Sequence, residues 1–489
     1  MEAEKVSNVG AEEKKLLLDV NESPKTVGQW IILAVQHVLA MFVACITVPI
    51  LVFANYQTAT GINLGSSMIA PTIVAAGVGT LFYLIVTKMK SPIFLASSFA
   101  YMPAMEAAVS IGTVTISGRT IPNLWALPVG MLFVGLVYCA VALCIKFFGV
   151  GWLNKLLPPI VIGPVIMVIG LSLSTSAINN LTNVNGGPQN YNLIQIFCGL
   201  VAMVVTALCA HYGKKMVSLI PFVLGMLAGY VVAAIFTCIS YGIADTATAA
   251  YFRVIDFSPV KNTFEPFGIQ SFFSCPQFIW MQESAPLTWG EVGQIALLFI
   301  PVSFVTICEH IGDHKNLSGI IGKDLLTDPG LTRTLIGDGI ATSLSGIICG
   351  AANTSYGENV AVVGVTRIAS TKVIALAAIM SVLLGFLSPI MAITTTIPAC
   401  VTGGVSLILY GFIAASGVKM LISEQIDFGK TKNIFVASVI LVSGIGGLVL
   451  KFGDPTNPTI SITSIAVSMI LGILMNCMLR EPKTAQIKK

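Results

Sequence analysis

Apolar runs long enough to cross a lipid bilayer recur along this chain of 489 residues, from Trp30 to the C-terminal part. A helix needs about 20 mainly apolar residues to span a hydrocarbon layer about 30 Å thick. Hydrophobic residues make up 55% of the chain and charged residues only 10%, whereas a soluble domain carries about 25% charged residues. One aqueous core cannot bury this much apolar surface, so we predict an all-α polytopic membrane protein.

The apolar runs predict fourteen transmembrane segments. The predicted spans lie near residues 30–53, 68–88, 92–108, 123–147, 158–177, 192–211, 216–240, 291–314, 334–350, 355–370, 372–396, 402–420, 432–451 and 460–479. The longest polar interruption separates seven spans from seven, and an odd number in each half predicts two repeats of opposite orientation. The predicted parts are an N-terminal tail (1–27), a first repeat (28–242), an external connecting loop (243–289), a second repeat (290–480) and a C-terminal tail (481–489).

The basic residues are distributed unequally between the two sides of this predicted membrane topology. All of the 26 Lys and Arg residues except Arg119, Arg253, Lys261 and Lys451 fall on the side that holds both termini. Cytoplasmic loops carry such an excess of basic residues, so both tails are predicted to be cytoplasmic in a plasma membrane. The basic residues form no patch interleaved with aromatic residues, which argues against a nucleic-acid partner.

Two of the predicted spans are short, polar and interrupted. They are the third, Pro92 to Glu106, and the tenth, Ala351 to Thr366. Broken helices at corresponding places of two repeats indicate a transport site, because freed backbone groups then face a cavity. Backbone N–H groups of residues 97–100 and 355–357 are predicted to point at a ligand from the start of a half-helix.

Four acidic residues lie within the apolar segments of the second half. Glu309 and Asp313 are four residues apart, so they share one helix face and can line one cavity. Glu358 follows the break in the tenth span, and Asp338 enters the ninth span as a supporting hydrogen-bond partner. Ionisable groups at this depth are costly and mark functional sites. One alternative is that Glu309 and Asp313 pair with Lys315 or cap the helix end near the cytoplasm. For Glu358 the alternative is a helix-dipole role, which is compatible with ligand binding.

Three histidines accompany these acids. His310 and His314 have the i, i+4 spacing of a zinc half-site, but they lie about 100° around the helix from the acids and no HExxH motif is present. No metal site is therefore predicted. His37, in the first span, is either a polar strut or a hydrogen-bond partner on the substrate side.

Several motifs in order resemble those of the nucleobase/ascorbate transporter family (nucleobase:cation symporter-2), and Glu358 points to its uracil permease branch. The motifs are Gln36–Phe42, Ser97–Ala100, Glu309–Asp313, Lys323–Gly330, Asn353–Asn359 and Gly403–Val405. The resemblance extends from about residue 25 to residue 480.

This resemblance implies a core domain of spans 1–4 and 8–11 that moves like an elevator against a gate domain of spans 5–7 and 12–14. The gate domain is expected to form a homodimer. The resemblance further implies a symporter that imports uracil, with no cofactor. The residues expected to bind the base are Glu309, Glu358, Phe99, Gly357 and Tyr356. The expected proton network comprises Asp313, Glu309, Asp338 and His37.

The coupling ion and some rival functions remain open from the sequence. Two carboxylates close together in a low-dielectric cavity repel each other when both are ionised, which favours uptake of a proton. Protons are the predicted coupling ion, but the same carboxylates could hold sodium. A xanthine or urate symporter is the nearest alternative. A sulfate or bicarbonate carrier would favour Lys or Arg at the site, and an intramembrane metalloenzyme would have to use His310 and His314.

Glycines of the predicted gate are also expected to permit close sliding contacts between gate and core. These glycines are Gly163, Gly170, Gly403, Gly404 and Gly411.

Overall fold

The computed structural model describes residues 16–53, 64–116, 119–182, 191–214, 217–218, 220–453 and 458–479. The predicted C-terminal tail and the first fifteen residues of the N-terminal tail lie outside the described residues. The helices are α1 (Val27–Val52), α2 (Leu64–Val86), α3 (Met102–Val109), α4 (Ala126–Phe148), α5 (Gly151–Leu156), α6 (Pro159–Ser172), α7 (Ser174–Thr182), α8 (Leu193–Tyr212), α9 (Pro221–Ser240), α10 (Thr246–Phe252), α11 (Ser258–Phe264), α12 (Trp289–Ile321), α13 (Leu331–Ile348), α14 (Gly357–Thr366), α15 (Thr371–Leu384), α16 (Ser388–Thr395), α17 (Ala399–Ser423), α18 (Thr431–Ile445) and α19 (Ser464–Met478). The strands are β1 (Leu95–Ser97), β2 (Val114–Ile116), β3 (Arg119–Ile121), β4 (Asn353–Ser355), β5 (Leu450–Gly453) and β6 (Pro458–Ile462).

Within the described residues, eight helical segments are long and apolar enough to cross a membrane. They are α1, α2, α4, the consecutive helices α6 and α7, α8, α9, α12 and α17. Shorter apolar helices α15, α18 and α19 occupy further predicted spans. The predicted eleventh span is divided into α15 and α16, because Pro389 in the first turn of α16 suits the start of a helix and not its interior.

The predicted third and tenth spans are each a short strand followed by a short helix. Strand β1 leads through a 3₁₀ turn (Phe99–Tyr101) into α3, and β4 leads into α14. The two strands pair antiparallel, with Ala96 opposite Thr354 at the centre. The sequence predicts the breaks, and the structure adds that the two broken segments satisfy each other's backbone groups deep in the protein.

Helix α12 carries the acidic motif in the middle of a run of 33 residues. It begins after Thr288, whose N–H donates to the Glu291 carboxylate at 2.8 Å. It ends at Gly322, whose φ of 67° lies in the left-handed region that glycine adopts without strain. These two caps fix the length of the helix and keep residues 309–313 far from either end.

The helices pack in two groups. The first packing group contains α1, α2, α4, α12, α13, α15 and the two broken segments. The second packing group contains α6 to α9 and α17 to α19. Helix α12 also touches α6 and α19, so it lies at the boundary between the groups.

Four of the five glycines expected at a sliding boundary pack inside the second group instead. A Cβ on Gly163 would lie 2.7 Å from Leu421, and one on Gly170 would lie 2.5 Å from the Tyr410 carbonyl oxygen. Likewise, Gly403 approaches α7 and Gly404 approaches α8, while nothing lies within 4 Å of a Cβ on Gly411. The expectation that Gly163, Gly170, Gly403 and Gly404 form the sliding surface is therefore wrong, because they allow α17 to approach its own neighbours. For Gly411 it stays a prediction.

The described part of the N-terminal tail, residues 16–25, is bound to the first packing group as a strap. The Leu17 and Leu18 N–H groups donate to the Arg367 carbonyl oxygen, and the Thr371 N–H donates to the Val20 carbonyl oxygen. The side chain of Val20 is buried among residues of α12 and α14.

Candidate functional site

A cavity lies where the two broken segments meet α12 and the second packing group. Its empty volume is about 480 Å³, including space open to solvent. The lining residues are Ser97, Ser98, Phe99, Ala100, Ile166, Ile169, Glu309, Thr354, Ser355, Tyr356, Gly357, Glu358 and Ile413. A wider hollow beside α18 opens outward and has no carboxylate in its lining.

Two carboxylates line this cavity. Glu309 projects from the middle of α12 and is exposed to the cavity, whereas Glu358 is half-buried in the first turn of α14. No Lys or Arg is among the described lining residues. The position of Glu358 also suits the positive end of the α14 dipole, so its two predicted roles coincide. The cavity therefore offers anionic hydrogen-bond acceptors.

The other three residues predicted to touch the substrate also line the cavity. Phe99 is buried, and its ring lies edge-on to Tyr410 with 5.9 Å between ring centroids. Tyr356 is the residue before α14, and Gly357 is the first residue of that helix. The first N–H groups of a helix have no partner within the helix, so the start of α14 provides backbone donors. Donors and acceptors thus face one space.

Asp313 lies one helical turn after Glu309 but is absent from the cavity lining. Its Oδ1 would be 3.2 Å from a Cβ on Gly357, so it sits directly behind the start of α14. Its Oδ2 has no hydrogen-bond partner among the described residues. Lys315 is exposed, and the described residues contain no ion pair between it and Asp313.

Asp338 is completely buried behind β4. Its Oδ2 accepts hydrogen bonds from the Ser355 N–H at 3.2 Å and from the Ser355 hydroxyl at 3.0 Å. The Nδ1 of His310 lies 2.6 Å from the same oxygen. Asp338 therefore holds the residue that immediately precedes Tyr356, which agrees with the supporting role predicted for it.

The two histidines of the acidic motif point away from the cavity. His310 and His314 are buried, with 4.0 Å between their ring centroids. His314 Nδ1 lies 2.7 Å from the His310 carbonyl oxygen, and its Nε2 lies 2.7 Å from the Tyr83 hydroxyl. Because a carbonyl oxygen only accepts, Nδ1 carries the proton. In the part of the chain that the structure describes, no group of three or more His, Cys, Asp or Glu side chains could hold a metal ion.

His37 is buried in α1 and does not line the cavity. Its Nδ1 lies 3.0 Å from Asn359 Oδ1. Because Asn359 follows Glu358 on α14, this contact ties the first span to the second broken segment. Of the two predicted roles of His37, the strut is the one that fits this position.

Sequence reasoning missed the apolar wall of the cavity. Ile166 and Ile169 come from α6, and Ile413 comes from α17. Isoleucine is common in every predicted span, so no local signal distinguished these three. The sequence predicts that His310 lies on a different face of the helix from Glu309. It does not predict that His310 contacts Asp338.

Sequence comparison identifies the family. Residues 28–453 match the Xan_ur_permease family, described as a permease family. The chain belongs to this permease family. The family membership predicted from the motifs is thereby confirmed. The protein is a multi-pass membrane transporter and not an enzyme.

Curated relatives match nearly the whole chain. A uracil permease of Bacillus caldolyticus is 39% identical over 96% of this chain and 97% of that protein. A uracil permease of Bacillus subtilis is 35% identical over 97% of each chain. One from Escherichia coli K12 is 32% identical over 93% of this chain and 92% of that protein.

Solved structures share the fold at low sequence identity. The murine Solute Carrier 26 family member A9 anion transporter, in the inward-facing state, has a TM-score of 0.59 at 12% identity, over 94% of this permease and 69% of that chain. The transmembrane domain of the cyanobacterial bicarbonate transporter BicA has a TM-score of 0.55 at 14% identity, over 90% and 96%. The fold is thus shared with anion transporters, so the fold alone does not indicate the substrate.

Proposed function

We propose that this permease imports uracil across the plasma membrane. The observation that carries the proposal is the cavity in which two carboxylates, Glu309 and Glu358, face the backbone N–H groups at the start of α14. Uracil has two N–H donors and two carbonyl acceptors, so carboxylates and backbone donors form a complementary set. Phe99 and Tyr356 add aromatic surface, and Gly357 lets the backbone approach the base. The names of the relatives support the same substrate.

The proposed movement is a displacement of the first packing group, acting as the core, against the second, acting as the gate. We place fourteen spans in two inverted repeats, with both termini in the cytoplasm. The division of the helices into two groups supports this movement, as does the mixed lining of the cavity. A homodimer through the gate is the proposed assembly, supported by the exposure of α8 and α9, because only 22% and 28% of the most apolar stretch of each helix is buried.

The proposed coupling ion is the proton. Glu309 and Asp313 form the titrating pair, with Asp338 and His37 in the surrounding network. Two carboxylates one turn apart in a low-dielectric site interact strongly, so their proton binding is coupled. The free Oδ2 of Asp313, among the described residues, supports a role in taking up a proton. Sodium remains the competing ion.

Radiolabelled uracil uptake into proteoliposomes tests both parts of this proposal. With an inward proton gradient in sodium-free buffer, we expect uracil to accumulate in the vesicles. An ionophore that dissipates the proton gradient should abolish this accumulation. Asp313→Asn should flatten the dependence of uptake on pH. Uracil uptake that requires sodium and persists without a proton gradient would show that sodium, and not the proton, is the coupling ion. Accumulation of xanthine, urate or bicarbonate in place of uracil would contradict the proposal that uracil is the substrate.

A further inference from the structure

The external segment between α9 and α12 is fixed to the second packing group at its beginning. The Val254 and Ile255 N–H groups donate to the Thr237 hydroxyl of α9 at 3.1 Å and 3.0 Å. The Asn192 side-chain amide, at the start of α8, donates to the Tyr251 carbonyl oxygen at 2.7 Å. Ile255 is buried against residues of α8, α9 and α17. Residues up to 255 therefore move with the second packing group.

The same segment is fixed to the first packing group further along. Ser388 begins α16, which packs against α2 of the first packing group. The Ser388 N–H donates to the Phe272 carbonyl oxygen at 3.0 Å, and its hydroxyl donates to the Gln270 carbonyl oxygen at 2.8 Å. The Ala285 N–H donates to the Pro122 carbonyl oxygen at 2.9 Å, just before α4. Residues from 270 onward therefore move with the first packing group.

Residues 256–269 join these two anchors, and we call them the external tether. They contain α11, a helix of only 7 residues. Its amide groups are held by local contacts: Asp256 accepts from the Ser258 N–H at 2.9 Å, and an exposed Lys261–Glu265 pair spans 3.8 Å. None of the residues of α11 is buried. Helices this short are marginal by themselves. Helix α11 also packs against α16, and its Phe264 ring lies edge-on to Phe272 with 6.2 Å between ring centroids, so unwinding of α11 must release these contacts.

We propose that the external tether is an extensible link that permits, and limits, the displacement of one packing group against the other. This inference rests on the proposed elevator movement. A residue in a helix advances the chain by about 1.5 Å and an extended residue by about 3.3 Å, so unwinding α11 adds roughly 12 Å between the anchors. The length stored in α11 is released when the groups separate and recovered when they return.

Two variants altered at the same four residues test this role. In the shortened variant residues 261–264 are deleted, which removes roughly 13 Å of maximum reach. In the control the same four residues are replaced by Gly-Ser-Gly-Ser, which removes the helix and its ion pair but keeps the length. Uracil uptake is measured in proteoliposomes, and uracil affinity is measured by calorimetry.

We expect the shortened variant to lose uptake by about tenfold or more while uracil affinity changes little, because a conformational step and not binding is blocked. The control should retain uptake. Equal uracil uptake by the shortened variant and the wild type would contradict the proposed role of the external tether. A wild type that transports no uracil would instead contradict the proposed function.

Hydrogen exchange provides a second measurement that does not depend on folding of the deletion. The amides of α11 in the wild type should exchange faster during turnover, with uracil and a proton gradient, than at rest. Unchanged protection of α11 in vesicles that accumulate uracil would also overturn the proposal.

Discussion

The two broken segments have the same backbone plan and opposite chemistry. A two-fold axis through the β1–β4 pair, centred on Ala96 and Thr354, relates Phe99 to Gly357 and Ala100 to Glu358. The first segment thus presents an aromatic ring and a methyl group to the cavity, where the second presents bare backbone and a carboxylate. The repeated backbone creates the cavity, and the differences between its two copies give the cavity a polar and an apolar side.

The anchors of the two segments differ in the same way. The Leu95 N–H of β1 donates to the neutral Thr80 hydroxyl at 2.9 Å. In β4, the Ser355 N–H and hydroxyl both donate to the buried carboxylate of Asp338. The Asp338 oxygen also contacts His310 Nδ1, so three polar groups converge on it, whereas the Thr80 hydroxyl bonds only the N–H and the carbonyl oxygen of Leu95 among the described residues. The segment that carries Glu358 is therefore the more firmly positioned one.

The largest expected effect is on uracil affinity, and it distinguishes the two acids that line the cavity from an acid that does not. Glu309→Gln and Glu358→Gln should each weaken uracil binding by about 1.5–3 kcal/mol, roughly 10- to 100-fold, because an amide N–H then faces a substrate N–H. Glu106→Gln, on α3 of the first segment, removes a carboxylate that does not line the cavity and should change affinity little. Calorimetry that gives equal affinities for all three variants would remove both acids from the site.

The difference between the anchors predicts the next largest effect. Asp338→Ala should lower the free energy of unfolding by about 3 kcal/mol, since the variant has no acceptor for the Ser355 N–H, the Ser355 hydroxyl and His310 Nδ1. Thr80→Val should cost about 1 kcal/mol, because it leaves one buried N–H of β1 without its acceptor. Thermal unfolding of the purified proteins in one detergent measures both. The reverse order would show that the first segment is the better anchored.

The sequence predicts the breaks and the acids for reasons that are local. Glu309 and Asp313 share a face because of helical spacing alone, and the polar residues before Glu358 already disfavour a continuous apolar span. The pairing of β1 with β4 is not local, because its residues come from opposite halves of the chain. Ile413 is no different in sequence from the many isoleucines that pack elsewhere. Long-range packing, which no single segment encodes, selects these contacts.

A smaller effect tests how closely the second segment fits its surroundings. A Cβ added by Gly357→Ala would lie 3.2 Å from Asp313 Oδ1, so the carboxylate must shift by a few tenths of an ångström. We expect uracil affinity to fall several-fold, by about 1 kcal/mol, since small misplacements of site groups weaken binding. Gly364→Ala is the matched control on the same helix, because its Cβ would meet only the flexible end of Ile320 at 3.2 Å. Equal affinities for the two variants would show that the contact with Asp313 is not important.

The smallest expected effect is on hydrogen exchange in the strap, residues 16–25. The strap is hydrogen-bonded to the residues that follow the second broken segment. Lys323 Nζ lies 2.6 Å from Asp19 Oδ2, and the two side chains are 48% and 43% exposed. An exposed pair contributes about 0.2–1 kcal/mol, so Asp19→Asn should slightly increase hydrogen exchange at the amides of Leu18 and Thr371. Lys323→Met should do the same, and the double variant should add nothing further, because both remove one interaction.

The hydrogen bond from Lys323 also lowers the pKa of the Asp19 carboxyl. A lowered pKa means that the pair stabilises the strap fully above the unfolded value of about 3.9 and that this stabilisation is lost as the pH falls through the folded value. Compared at the same pH, the difference in exchange between the wild type and Asp19→Asn should therefore disappear only in acid below about pH 4. High salt should have the same effect at neutral pH, since an exposed pair is screened. Additive effects of the two single variants would show that the strap is held by its backbone hydrogen bonds and not by this pair.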